Sequence, residues 1–248
     1  MTGSGVAWIE PDWPAPAHVR VVSTLRGGGR SEGAYASLNL AAHVGDAPAA
    51  VAANRTLLRN AAGLPAEPLW LEQVHGIGVV DHAGPVPAPP RADAACATGR
   101  GLVCAVMTAD CLPVAFADRR GTRVAVAHAG WRGLARGVLD ATIAALGVPP
   151  ADLHAWLGPA IGPDAFEVGA EVREAFLSRS PAAAACFRSN ERGRQQADLC
   201  ALARLALARA GVVSVHGGGW CTHGDAVRFY SFRRDGVTGR MATLAWLA

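Results

Sequence analysis

Three residues of this chain are of types that could share one chemistry: His75, Cys111 and His128. Cys111 stands in Thr108-Ala109-Asp110-Cys111-Leu112-Pro113, where one apolar run gives way to another. Sixteen residues separate it from His128-Ala129-Gly130-Trp131-Arg132-Gly133, which ends a third apolar run and opens a helical pattern. Upstream, Glu72-Gln73-Val74-His75-Gly76 offers a second imidazole. Ends of strands and the loops that follow them commonly present reactive side chains to a ligand. Two imidazoles and one thiolate form a three-ligand set for Zn²⁺ that leaves a fourth position open. An ion held this way lowers the pKa of bound water to about 7 and polarises an oxygen. Cu²⁺ accepts the same ligands. A metal-free pair, with Cys111 as nucleophile and His128 as base, stays open to the same residues. No C-x-x-C spacing is present, and isolated cysteines and histidines are commonly structural, so these residue types alone do not establish a metal site.

The elements that must position these groups follow from hydrophobic period and punctuation. Residues 102–107, 114–117 and 122–127 are short apolar, often β-branched runs, which predict buried strands around Cys111 and His128. Residues 18–24, 154–157, 212–216, 227–232 and 241–247 also read as strands. Asp46 is the expected N-cap of a helix over 48–62, which Gly63 and Pro65 close. Further helices are expected over 133–146, 166–177 and 198–210, the last with Asp198 at its start and Gly211 at its C-cap position. Residues 85–90 form a Pro-rich linker loop. Residues 27–31, Gly27-Gly28-Gly29-Arg30-Ser31, read as a flexible turn. Helices and strands mix without strict βαβ alternation. The expected fold is therefore α+β, a single domain with a mixed β-sheet core flanked by helices, over residues 17–248. Residues 1–16 are expected to be a loose N-terminal lead-in.

Composition bounds the function class. The 248 residues include 51% hydrophobic and 17% charged side chains, a globular composition. All 23 basic residues are arginine, set among 20 acidic ones for a net charge of +3, and none form a long basic run. A nucleic-acid partner is not indicated. No targeting segment or membrane-spanning apolar stretch is visible, so a cytoplasmic protein with reduced thiols is expected. The six cysteines show no disulfide-framework spacing, and Cys96, Cys104, Cys186, Cys200 and Cys221 are expected to be structural. No dinucleotide, P-loop or zincin motif occurs.

Several stretches together resemble one family. They are Ser37-Leu38-Asn39-Leu40, His43-Val44-Gly45-Asp46, Asn54-Arg55, Gln73-Val74-His75-Gly76, the two stretches around Cys111 and His128, and Leu157-Gly158-Pro159-Ala160-Ile161-Gly162. Phe166-Glu167-Val168-Gly169, Tyr230-Ser231-Phe232-Arg233-Arg234-Asp235 and Thr238-Gly239-Arg240 complete the set. The pattern is similar to the bacterial laccase-domain family, also called polyphenol oxidase and described as purine nucleoside phosphorylase. It runs in order from about Thr24 to Leu247. The resemblance implies a single α+β domain and a His-Cys-His set, falling on His75, Cys111 and His128, that is both catalytic and metal-binding. It implies zinc-dependent phosphorolysis of adenosine, inosine, guanosine and 5′-methylthioadenosine, with adenosine deamination as a side activity. The small-molecule partners would be purine nucleosides and phosphate.

The rest of the expected site follows from that chemistry. Phosphorolysis needs a phosphate held near the ribose C1′, and Arg26, Ser31, Asn39, Arg55, Arg132 and Arg233 are the candidates, with Arg132 and Arg233 ranked first. Arg132 stands at an expected strand-to-helix junction, where a helix N-terminus adds positive potential. His43 is the leading fourth histidine. Asp110, beside Cys111, and Glu72 are candidates by proximity for the proton shuttle of deamination. Asp110 is also counted among the substrate-binding candidates; its expected role is a turn residue, or one that orients a ligand histidine. Trp131 and Phe232 are aromatics that could stack on a purine but are more commonly core. Deamination would use zinc chemistry in which an activated water attacks C6, although the H-x-E signature of nucleobase deaminases is absent. Laccase chemistry needs a multicopper histidine set, whereas this chain has eight histidines with none two apart. A copper-dependent polyphenol oxidase, the metal-free Cys-His hydrolase and a quality-control enzyme for a cell-wall precursor remain the alternatives.

Overall fold

The structure, a computed structural model, describes residues 5–248. Its strands are β1 (Trp8–Ile9), β2 (Val19–Thr24), β3 (Val79–Asp81), β4 (Ala94–Ala97), β5 (Val103–Thr108), β6 (Leu112–Asp118) and β7 (Val124–Ala129). They continue with β8 (Leu153–Leu157), β9 (Glu167–Val168), β10 (Phe187–Ser189), β11 (Gln195–Ala197), β12 (Ser214–Gly217) and β13 (Met241–Leu247). The helices are α1 (Pro48–Ala62), α2 (Trp131–Arg136), α3 (Val138–Leu146), α4 (Ala170–Leu177), α5 (Leu199–Arg209) and α6 (Phe232–Asp235).

Two large sheets stack face to face. One is antiparallel, in the order β1-β2-β13-β5, and the other is mixed, in the order β12-β8-β6-β7-β4-β3. Val21, Val106 and Ala245 from the first sheet pack against Ala95, Ala115, Val124 and Trp156 from the second. On the far side of the mixed sheet, Leu139 and Ile143 of α3, Val172 and Phe176 of α4, and Leu199 and Leu202 of α5 form the largest apolar cluster. On the far side of the antiparallel sheet, Leu58 of α1 joins Leu38, Leu40 and Trp70. With both faces covered, every residue of β5, β6 and β7 is buried. That is why these strands read as continuous apolar runs rather than alternating ones. The α+β fold with a mixed sheet is as expected. A small third sheet, β10-β11-β9, sits beside it.

Five expectations about elements need correction. β1 pairs with β2, Trp8 opposite Thr24, so the expected loose lead-in contributes an edge strand; residues 1–4 lie outside the described residues. The helix expected over 133–146 is two helices broken at Gly137, whose φ of 102° is left-handed. Residues 166–177 begin as β9, and the helix starts only at Ala170. Ala47, not Asp46, precedes α1; the Asp46 carboxylate instead accepts from Ser31 Oγ at 2.6 Å and Asn39 Nδ2 at 2.9 Å. Residues 227–232 form no strand. Phe229 and Tyr230 are both fully buried, which breaks period-2 alternation, and the Ser231 hydroxyl accepts from Arg234 N to start α6. Asp198 caps α5 as expected, its carboxylate accepting from Ala201 N at 2.9 Å.

Candidate metal centre and its cleft

The strand register brings Cys111 and His128 together. β6 and β7 are antiparallel, with Leu112 opposite Ala129 and Pro113 opposite His128. Cys111, one residue before β6, therefore faces Gly130, one residue after β7. A β-carbon on Gly130 would lie 2.8 Å from Cys111 Sγ and 3.1 Å from His75 Cδ2, so the side-chain space at 130 belongs to the sulfur and the imidazole. A β-carbon on Gly133 would lie 2.9 Å from the Gly76 carbonyl, so this glycine lets the His75 loop sit against α2.

His75 Nε2 lies 3.8 Å from Cys111 Sγ, and the rings of His75 and His128 meet edge to face at 4.7 Å. One ligand atom from each of His75, Cys111 and His128 falls within 4.8 Å of the others. A four-coordinate ion, with bonds of about 2.0 Å to nitrogen and 2.3 Å to sulfur, needs donors about 3.5 Å apart. The set is slightly wider than that and fits such an ion after a small contraction. Among the described residues it is the one group of three or more potential ligands found together.

Asp93 holds this set. It is 0% exposed, and its Oδ1 accepts from His128 Nδ1 at 2.8 Å and from His75 N at 2.9 Å. Its Oδ2 accepts from Val74 N at 3.2 Å and Gly76 N at 2.6 Å. Three successive backbone N–H groups thus wrap one carboxylate, and His75 adopts a left-handed φ of 57° to make the wrap. With Nδ1 donating to Asp93, Nε2 of His128 is the nitrogen left to ligate, the arrangement common in metal sites. Burial opposes ionisation of Asp93, but hydrogen bonds from His128, Gly76 and Val74 outweigh it and hold the carboxyl below its usual range. Burial also opposes the charged forms of Cys111 and His128, yet each stabilises the other. Beside His128 and His75 the Cys111 thiol falls to about 6, and between Cys111 and Asp93 the His128 imidazole rises to about 9. The sulfur is therefore poised as the thiolate, which is the form that binds metal or attacks.

A cleft of about 420 Å³ opens over these three residues. Asp110, His43, Trp131, Arg132, Phe232 and Arg233 line it, as do Met107, Ile161, Phe166 and Arg240. Asp110, at a left-handed φ of 95°, does not orient a ligand histidine. Its carboxylate accepts from Thr222 Oγ1 and from Arg233 N, both at 2.6 Å, and so ties the C-terminal segment to the strand turn before Cys111. Arg233 Nη1 donates to the Glu167 carbonyl at 2.9 Å, and Arg132 lies exposed over the Trp131 ring at 4.5 Å. Phe232 is 58% exposed at the cleft, so it is not a core aromatic.

Four expected ligand-binding residues are elsewhere. Arg26 donates to the carbonyls of Ala36 and Ala226 and stacks on Tyr230. Ser31 and Asn39 are buried among Asp46 and Asn54. Arg55 donates twice to the Leu40 carbonyl and covers Trp70 at 4.1 Å. All four support the loop that carries His43 and none lines the cleft. A second, apolar cleft of about 330 Å³ lies between Leu69, Trp70 and the Pro-rich loop, away from the triad.

A family described as multi-copper polyphenol oxidoreductase laccase matches residues 20–248. The chain belongs to this family. Its relatives include a protein named purine nucleoside phosphorylase PA4543 from Pseudomonas aeruginosa, 55% identical, the match covering 97% of this chain and 98% of that protein. Another, purine nucleoside phosphorylase YfiH from Escherichia coli, is 52% identical over 96% of this chain and 98% of its own length. Among solved structures, Neisseria meningitidis protein NMB0706 superposes with a TM-score of 0.93 at 54% identity, covering 97% of this chain and 98% of that one. The membership supports the family reading made from the motifs. Among the described residues, no helix is long and apolar enough to cross a membrane.

Proposed function

We propose that this protein is a zinc-dependent purine nucleoside phosphorylase acting on adenosine, inosine, guanosine and 5′-methylthioadenosine, with adenosine deamination at the same centre. One observation carries the reading: a single cleft holds a His-Cys-His donor set, cationic arms and exposed aromatic surface. The names of the relatives agree with it.

His75, Cys111 and His128 would hold the ion. Bound there, zinc supplies a Lewis-acidic position for an oxygen and lowers the pKa of water. Everything else is done by the chain. Asp93 fixes the His128 imidazole and the backbone of the loop that carries His75, and the Cys111 thiolate contributes negative charge to the ligand set. Trp131, Phe166 and Phe232 offer aromatic surface to a purine, while Met107 and Ile161 keep the cleft apolar between them. In phosphorolysis a hydrogenphosphate oxygen bonds to C1′ and the C1′–N9 bond breaks with its electron pair on the purine. The proton of the phosphate ends on the purine nitrogen. In deamination water adds at C6 and ammonia leaves.

Copper in place of zinc is the second reading, favoured by the description of the family. The donor set would also suit a His₂Cys copper site. Against multicopper chemistry, the other histidines do not assemble into a second ligand group among the described residues.

The test is product analysis with adenosine. Adenine and ribose 1-phosphate are expected only when phosphate is present, and inosine irrespective of it. His75→Ala, Cys111→Ala and His128→Ala should lose both products. Adenine release indifferent to phosphate would mean hydrolysis and end the phosphorylase reading.

A further inference from the structure

The cleft contains a guanidinium that the expected phosphate candidates did not include. Arg240 immediately precedes β13, whose first residue, Met241, pairs with Thr108 at the end of β5. That register sets Arg240 beside the Ala109-Asp110-Cys111 turn. Its Nη1 donates to the carbonyls of Thr238 at 2.9 Å and Gly239 at 3.0 Å, which fixes the head group while leaving Nη2 and Nε free. The guanidinium also lies 5.6 Å from the centre of the Phe232 ring. Among the described residues no carboxylate comes within ion-pair distance of it, although ten other cation–carboxylate pairs form.

The charges of Asp110 and Cys111 act on this half-buried guanidinium, but no carboxylate pairs with it, and a ligand anion can supply that direct partner. The neighbourhood points the same way. His43 lines the same cleft, and partial burial, then the charges of Arg240 and Arg55, hold its imidazole below the usual range. The cleft's one carboxylate, Asp110, already accepts Thr222 Oγ1 and Arg233 N. Arg132, by contrast, lies exposed against Trp131, and Arg233 Nη1 is committed to a carbonyl of β9.

We propose that Arg240, with its free Nη2 and Nε edge and His43 beside it, forms the subsite for inorganic phosphate in this cleft. The assignment rests on the phosphorolysis reading and deepens it. Arg240 is here a binding residue for the attacking oxyanion, and Arg132 and Arg233 are rim cations. A bidentate guanidinium edge matches the geometry of two phosphate oxygens.

Two measurements on the zinc-loaded protein test this. In steady-state phosphorolysis of adenosine, Arg240→Gln is expected to raise the KM for phosphate roughly 10–100-fold, the loss of hydrogen bonds to a charged group, with the KM for adenosine little changed. Arg240→Lys should recover part of the loss. A wild-type phosphate KM in Arg240→Gln would overturn the proposal, as would a larger effect from Arg132→Gln. With AMP in place of adenosine, a rise in the AMP KM with the phosphate KM unmoved would assign the guanidinium to a nucleotide phosphoryl group instead, and also overturn it. The second measurement needs no turnover. Inorganic phosphate should raise the Tm of wild type and of Arg240→Lys, and fail to raise that of Arg240→Gln. If adenosine is not phosphorolysed but this phosphate-dependent shift is present and lost in Arg240→Gln, the subsite stands and the activity reading falls. An equal shift in wild type and Arg240→Gln, or none in wild type, refutes the subsite.

Discussion

Asp93→Asn is the substitution that most sharply probes how the centre is held. Asparagine keeps the shape but replaces one acceptor oxygen with an amide donor. If the amide nitrogen takes the Oδ2 position, it confronts the N–H groups of Val74 and Gly76, now 3.2 and 2.6 Å from Oδ2. If it takes the Oδ1 position, it confronts His75 N and His128 Nδ1, at 2.9 and 2.8 Å. Either way two donors around a fully buried side chain lose their acceptor. Each such loss costs about 1–3 kcal/mol, so about 2–6 kcal/mol in all. That is a large share of a typical domain stability of about 5–15 kcal/mol. In either orientation the same change removes the negative charge that orients His128, for which a loss of zinc affinity of about 10–100-fold is expected. The pH dependence has a definite sign. The folded carboxyl is depressed, so its stabilisation is present above the unfolded pKa and is lost as pH falls through the lower folded value. The stability gap between wild type and variant should therefore close in acid. Urea unfolding across pH, with zinc competition against a chelator at neutral pH, measures both effects. A variant within about 0.5 kcal/mol of wild type, the range of an ordinary surface change, and with unaltered zinc affinity would refute the reasoning.

Other outcomes follow from the same geometry. Gly130→Ala has a compatible backbone, with φ −61° and ψ 157°, so its added methyl acts on the Cys111 sulfur and the His75 ring alone. Zinc binding and turnover should fall sharply, and equal zinc occupancy in variant and wild type would contradict the placement. In the metal-free protein, ultraviolet thiolate absorbance should report Cys111 titrating near 6, and it should move toward the ordinary thiol range in His128→Ala. The depressed thiol stabilises the fold above its unfolded pKa and loses that contribution as pH falls through about 6; the raised His128 stabilises below its own unfolded pKa and loses it as pH rises through about 9. Between those values the two slopes oppose each other, so the pair leaves metal-free stability nearly level there, and a Cys111 that titrates in the ordinary thiol range would exclude the ion pair. Burial pushes the Cys104 thiol up and the Cys200 thiol up to about 12, so both are inert. Cys104→Ala and Cys200→Ala should cost about 0.5–3 kcal/mol in unfolding experiments and spare activity. Lost turnover at unchanged stability would enlarge the site.

Much of the centre was legible because it rests on strand ends. The apolar runs on either side of Cys111 and before His128 mark β5, β6 and β7, and only the antiparallel register, Pro113 opposite His128, was needed to join the two residues. His75 entered through its motif, since nothing in its local pattern foretells the wrap of three N–H groups around Asp93. Asp93 itself was overlooked. Its signal is a lone carboxylate in Ala92-Asp93-Ala94-Ala95, where an apolar run forces the charge inside and burial demands partners. Arg26, Ser31, Asn39 and Arg55 lie outside the cleft lining. Their motifs fix a loop through carbonyl and carboxylate contacts, and a sequence does not distinguish an arginine that binds a main-chain carbonyl from one that binds a ligand. The break at Gly137 and the false strand over 227–232 have local causes. Gly137 takes a positive φ inside an otherwise helical pattern, and the stretch around Phe229 and Tyr230 reads as a strand although both rings are fully buried outside any strand.

Phosphorus NMR of the zinc-loaded protein turning over adenosine in phosphate tests the central claim most directly. One ribose 1-phosphate should appear for each purine base released, adenine and hypoxanthine together, with neither sugar phosphate nor base formed by Cys111→Ala. Adenine accompanied by free ribose, or ribose 1-phosphate still formed at the wild-type rate by Cys111→Ala, would contradict the account.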